Sequence, residues 1–194
     1  GKPMVVVVSL VRERRLFGAS GFRLEEEADL ASHLEADPVA VRIGADAESV
    51  VIRDAADQVH VFHRNGTGWD LRQRFHPFPE TGAQITSMEF IQGRVSLCFT
   101  GSDGTNRIYS LYRHPGSGQR MYGATKAFPP FSSGATSFAR SPRNKAFLLG
   151  DGTRLSLRYA TTADVRWESV IDRPLRHLLI GSRFDVLGGI DPAG

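Results

Sequence analysis

Cysteine is almost missing from this chain: Cys98 stands alone among 194 residues. That excludes an intrachain disulfide and any multi-cysteine metal site, and leaves the redox compartment open. Lysine occurs only three times, so the basic side chains are nearly all arginine. Long apolar runs are also absent. A bilayer-spanning helix needs about 18 apolar residues, and the strongest run here, Met4 to Leu10, gives way to Arg12, Arg14 and Arg15. Nor does that run have the build of a signal peptide. The chain opens on Gly1 rather than Met, and the expectation is a processed or excised piece whose targeting and membrane segments lie elsewhere. Hydrophobic residues at 41% and charged residues at 23% match globular averages, which excludes a disordered tail or a long coiled coil. The length suffices for one ordinary domain with its own core, and residues 1–194 are read as a single domain or part of a larger one.

Charge is divided unevenly. Residues 1–97 carry 11 basic and 14 acidic side chains, whereas residues 98–194 carry 13 and 7, a net of +6 in the second half. The arginines recur about once per predicted strand instead of forming one basic stripe with interleaved aromatics, so no nucleic-acid partner is expected.

What the chain has in quantity is turn residues, 20 Gly and 10 Pro, between short apolar stretches of period two. One acidic stretch, Leu24 to Glu35, reads as a short helix. The remainder reads as strands in three groups of four. The first is Val39–Ile43, Ser49–Arg53, Gln58–Arg64 and Trp69–Phe75. The second is Gln84–Phe90, Arg94–Thr100, Arg107–Arg113 and Met121–Phe128. The third is Ala135–Arg140, Lys145–Leu149, Arg154–Ala160 and Val165–Val170. Asp57, Asp103 and Asp151, spaced by 46 and 48, are read as the same turn between second and third strands, and Trp69 and Trp167 both fall on fourth strands. Asn65-Gly66 reads as a tight hairpin turn between third and fourth strands, glycine supplying the positive φ.

Four-stranded meanders repeating every 40 to 50 residues are the signature of a β-propeller. The fold class expected is therefore all-β, a β-propeller with four-stranded antiparallel blades at about 39–76, 84–128 and 135–171. A β-sandwich or barrel made of the same meanders is the competing architecture. The ends, Val5–Val11 with Leu16–Leu24 and His177–Ile180 with Phe184–Ile190, are expected either to pair into a shared terminal blade or to leave a partial ring.

No constellation announces a reaction. His60 and His63 lie three apart, which on a strand places them on opposite faces, and no carboxylate or Cys completes a site with His76. The turn aspartates offer one carboxylate each, too few for calcium, and suit Asx-turns instead. Ser102 and Cys98 lack a nucleophile elbow or a Cys–His signature, so Cys98 reads as a small buried hydrophobe. No catalytic, metal or cofactor-binding residue is assigned. The one candidate ligand site is the loop from Arg140 through Ser141, Pro142, Arg143 and Asn144 to Lys145. Arg140, Arg143 and Lys145 bring three cations within six residues, a composition that can hold a phosphate or carboxylate by charge-assisted bonds; an ordinary solvated hairpin turn is the plainer account. Asn65-Gly66-Thr67 also matches a glycosylation acceptor, although its hairpin role already accounts for it.

The stretch Arg154-Leu155-Ser156-Leu157-Arg158-Tyr159-Ala160-Thr161-Thr162-Ala163-Asp164-Val165-Arg166-Trp167, with Gly101-Ser102-Asp103-Gly104-Thr105, resembles the large soluble insertion of long PstC-type phosphate ABC transporter permeases. The resemblance implies a WD-like propeller domain on the periplasmic face of the bacterial inner membrane, tethered through segments outside this chain. It implies a non-enzymatic accessory role, with the remainder of the permease and the phosphate-binding protein as partners and no cofactor. The pore helices and the ATPase-coupling loop of that family have no counterpart here, so no functional residue carries over. Two other readings stand beside it: a propeller-fold hydrolase such as a lactonase or glycosidase, and a cytoplasmic WD-repeat scaffold.

Overall fold

The computed structural model describes residues 5–13, 21–44, 47–66, 68–92, 96–128, 136–140, 146–159, 162, 164–180 and 187–190. The chain divides into two compact units, residues 1–41 with 48–75 and residues 42–47 with 76–194. All sheets are antiparallel, and one short 3-10 turn is the only helical element among the described residues.

In the first unit, β1 (Val6–Glu13) and β2 (Gly21–Asp29) form a two-stranded sheet, followed by the 3-10 turn Ala31–His33. Next come β3 (Pro38–Ile43), β4 (Ser49–Asp54), β5 (Val59–Asn65) and β6 (Gly68–Phe75), paired in chain order; the end of β3 belongs to the second unit. Both faces of the inner strands are dry. Val50, Ile52, Phe62 and Trp69 pack with Val5 and Leu30, flanked by Ala28, Ala31, Leu34 and Leu71. Val51, Val59 and Val61 are buried on the reverse face. Two-sided burial explains why Val50-Val51-Ile52 runs without alternation.

The expected helix over Leu24–Glu35 is not formed. Its first half lies in β2, with Val8 opposite Glu27 and Leu10 opposite Leu24, and only Ala31–His33 turns helically. Helix propensity of a Glu run amounts to tenths of a kcal/mol per residue, less than a ladder of strand pairing contributes. Asp29 Oδ1 then accepts the Ala31 N–H at 2.9 Å and starts the turn, while Leu30 N–H donates to the Val5 carbonyl at 2.8 Å. Arg74 fastens this segment to the sheet by pairing with Glu35 and donating to the His33 carbonyl at 3.3 Å.

The second unit holds two full sheets. One comprises β7 (Ile85–Gln92), β8 (Ser96–Gly101), β9 (Asn106–Arg113) and β10 (Arg120–Phe128); the other comprises β11 (Thr136–Arg140), β12 (Ala146–Asp151), β13 (Arg154–Tyr159) and β14 (Val165–Val170). A closing hairpin, β15 (Arg176–Ile180) with β16 (Leu187–Ile190), follows. The β12 strand shows how they stack. Phe147 and Leu149 pack with Ile91, Cys98 and Ile108 of the preceding sheet, whereas Ala146 and Leu148 face Ala139, Leu155, Leu157, Leu178 and Ile180. Successive residues thus fill successive seams, each fully buried large side chain stabilising by roughly 1.5–3 kcal/mol.

Among the described residues β1 pairs only with β2, and β15 only with β16, in two separate two-stranded sheets. Leu178 and Ile180 bury their side chains on the third full sheet.

The connection between β6 and β7 is fixed onto the β8–β9 turn. Phe78 is buried, Tyr109 OH donates to the Pro77 carbonyl at 3.0 Å, and Arg107 grips Glu80 through two N–H···O contacts of 3.1 and 2.8 Å. The guanidinium holds the Glu80 carboxyl below the usual carboxylate range. Gly101 has to be glycine here: a Cβ would stand 2.7 Å from Asp103 Oδ1, 3.1 Å from Ala83 Cβ and 3.3 Å from Phe78 Cε2.

Candidate interaction surface

Of the loop proposed to hold an anion, Arg140 ends β11 opposite Phe147. Residues 141–145, Arg143 and Lys145 included, lie outside the described residues. Cys98 is fully buried in the seam between the second and third full sheets, and burial pushes its thiol pKa upward, so it is a packing residue without thiolate character.

The three aspartates matched by spacing occupy three different turn positions. Asp57 itself takes the left-handed conformation (φ 58°), a place held in the next sheet by Gly104 (φ 81°). Asp103 precedes that glycine and accepts the Thr105 N–H at 2.9 Å. Asp151 closes β12 opposite Arg154, across a two-residue link with Gly152 at φ 55°. Turns between second and third strands do recur, but the first two span more residues than the third, so equal spacing of one residue type was no guide to equivalence.

Three of the histidines make local packing and turn contacts. His63 Nδ1 lies 3.1 Å from Ser49 Oγ, and His76 Nδ1 accepts the Phe78 N–H at 3.1 Å. His60 is wholly buried beside wholly buried Asp54, Nε2 to Oδ2 2.8 Å. Asp54 Oδ1 also accepts the N–H groups of Ala56 and Gln58, at 3.0 and 2.9 Å. One carboxylate thereby terminates β4, shapes the turn and anchors β5. The other ring nitrogen, His60 Nδ1, is buried and has no hydrogen-bond partner among the described residues. Sequence reasoning missed this pair, yet a signal existed: Asp54 shares strand parity with Val50 and Ile52, so it had to point inward.

Exposed apolar side chains lie on β3 (Val39, Val41 and Ile43), at Tyr112 and Leu179, and on the third full sheet (Tyr159, Val165, Trp167 and Val170). Trp69 of β6 is 9% exposed, whereas Trp167 of β14, which lies on the opposite face of its sheet, towards the elements that follow it, is 41% exposed, and Tyr159 is 45% exposed. Register puts Tyr159 and Trp167 on the face that carries Leu157, because Ala146 opposes Tyr159, Leu148 opposes Leu157 and Leu157 opposes Trp167. The cause lies in what covers each sheet. Val5, Leu30 and their neighbours reach Trp69 across the first full sheet. Leu178 and Ile180 reach Leu155 and Leu157, and the buried cluster ends there. Arg166 rests its guanidinium 5.9 Å from the Tyr159 ring centroid, which leaves a cation–aromatic pair at the edge of the surface. Tyr112 is also exposed, but its ring covers Gly123, where a Cβ would lie 2.9 Å from it, so that aromatic is already used within its own sheet.

No three His, Cys, Asp or Glu side chains converge as a metal site among the described residues. No helix there is long and apolar enough to cross a membrane, which leaves strand-built membrane proteins unaddressed.

Neither a family model nor a curated protein matches the chain. Among solved structures it is similar to the β-propeller domain of Myceliophteria thermophila Cps50 (Swd1), at 9% identity with a TM-score of 0.62, covering 99% of this chain and 62% of that one. At such identity the likeness shows the fold: an all-β, propeller-type array of four-stranded antiparallel sheets. The chain spans about 62% of the solved domain's length, in keeping with a partial propeller.

Proposed function

We propose that this chain is a non-enzymatic propeller-type binding domain that docks a protein partner on the Tyr159–Trp167 face of its third full sheet. The observation that carries this reading is the exposure of Trp167 and Tyr159 on the same face as buried Leu157, where the packed cluster ends. Tryptophan, tyrosine and arginine are the side chains that most often dominate protein interfaces, because they bury much area for little lost rotamer freedom. Here a rigid sheet presents all three side by side.

The finer reading rests on the sequence resemblance: the domain is an accessory of a phosphate ABC transporter permease at the periplasmic face of the inner membrane, with the permease and the phosphate-binding protein as partners. Two experiments test the pair of ideas. The genomic reading frame is expected to continue into hydrophobic helices on both sides; an isolated soluble frame would remove the permease assignment and leave a scaffold with the same surface. Titration of the purified phosphate-binding protein into the domain is then expected to give saturable binding. Trp167→Ala should weaken it at least tenfold, about the scale of an interface hot spot, while shifting stability by only about 0.5 kcal/mol. Binding that is indifferent to Trp167 would reject the docking face.

A further inference from the structure

The hairpin joining β5 to β6 carries a second feature that the binding role does not use. The chain has three asparagines, Asn65, Asn106 and Asn144, and only Asn65 is followed by glycine. Asn106 is fully buried, with its amide donating to the Gly104 carbonyl at 2.6 Å and its Oδ1 accepting from Thr100 Oγ1 at 2.8 Å. Asn144 lies outside the described residues. Asn65 is exposed at the last position of β5, opposite Gly68. Gly66 alone carries the positive φ expected of the pair, 58°, and a Cβ added at Gly66 or at Gly68 would meet nothing within 4 Å. The space beside Gly66 is therefore open among the described residues. The Asn65 amide donates to Asp70 Oδ2 at 2.9 Å, the same oxygen that takes Arg72 at 2.8 Å.

We propose that Asn65 is a site of spontaneous, succinimide-mediated deamidation that marks ageing of the first full sheet. The Gly66 amide nitrogen, once it loses its proton to base, attacks Asn65 Cγ. A C–N bond forms, the Cγ–Nδ2 bond breaks, and ammonia leaves with a proton taken from solvent. Water then adds to one of the two ring carbonyls and opens the ring to aspartate or isoaspartate at position 65; no oxidant or reductant takes part. Glycine favours the closure because it has no side chain to obstruct it and turns freely about φ. Either product replaces an amide donor by a carboxylate facing Asp70, converting an attraction into like-charge repulsion. Isoaspartate also lengthens the backbone by one atom next to a two-residue connection. That connection aligns Arg64 with Trp69, so the change acts on the register that seats Trp69 in the core.

The test is peptide mapping of the intact folded chain after storage at neutral and at mildly alkaline pH. Trypsin cleaves after Arg64 and Arg72 and releases residues 65–72 as one fragment. The expected result is progressive loss of its amide, faster at higher pH, giving aspartate and isoaspartate forms, while the fragments containing Asn106 and Asn144 keep theirs. Aged wild-type protein should show a falling Tm, and Asn65→Gln, whose longer side chain closes a ring far more slowly, should hold a constant one. Persistence of the amide after a synthetic peptide of residues 60–72 has converted would overturn the proposal. So would conversion of Asn106 or Asn144 at an equal rate.

Discussion

Asp54→Ala is expected to destabilise the first unit by about 3–5 kcal/mol, the scale observed when one partner of a buried polar or charged pair is deleted. Three groups lose their partner at once: the His60 ring and the N–H groups of Ala56 and Gln58. The His60 share of the loss cannot be made good by water while that ring stays fully buried. Native proteins are stable by only about 5–15 kcal/mol, so the variant should denature at much lower urea. Asp54→Asn keeps an oxygen for the two turn amides and should cost less than the alanine change. The double variant with His60→Ala should cost less than the sum of the single ones, because a histidine without its partner is part of the penalty. A change below about 1 kcal/mol for Asp54→Ala would show that the turn is held by other contacts.

Phe147→Ala is expected to lower the stability of the second unit by roughly 3–5 kcal/mol, the range for deleting a buried aromatic side chain. The ring is fully buried among Ile91, Cys98, Ile108 and Leu149, where two four-stranded sheets meet. Sheets held by their own backbone ladders cannot readily collapse into the space, so the cavity persists. Phe147→Leu, which refills most of the volume, should recover much of the loss. Calorimetry of both variants checks the ordering; equal Tm values for alanine and leucine would mean that the seam relaxes around the void. Reaction of Cys98 with a thiol reagent gives a local readout of the same seam, since the opened cavity borders its sulfur.

Much of the architecture was legible in the chain because its cause is local. Short apolar stretches bounded by Gly, Asp and Asn specify hairpins, and runs such as Ala146-Phe147-Leu148-Leu149 specify strands dry on both sides. Where the reading went astray, the deciding interaction lay far away in the sequence. The Glu25-Glu26-Glu27 run looked helical, but pairing with β1 made it a strand. The aspartate spacing pointed to equivalent turns, yet the turn of the third full sheet is shorter than the first two, and the left-handed position is filled by Asp57 in one and Gly104 in the next. The Asp54–His60 pair went unseen because a polar residue at the end of an apolar run reads as a turn, until parity is followed one residue further.

The candidate surface divides along the same line. Strand order, the hairpin turns and the two-sided burial of the inner strands follow from composition and periodicity, because each depends on neighbours a few residues apart. Trp69 and Trp167 both fall on fourth strands but on opposite faces of their sheets, and nothing in their immediate surroundings says that one is covered and the other open. Tertiary packing alone decided that: Val5 and Leu30 close over the first, whereas the cluster around Leu178 and Ile180 stops short of the second. Solvent exposure of a side chain depends on whichever distant element lies over it, and a local pattern carries no record of that element's reach.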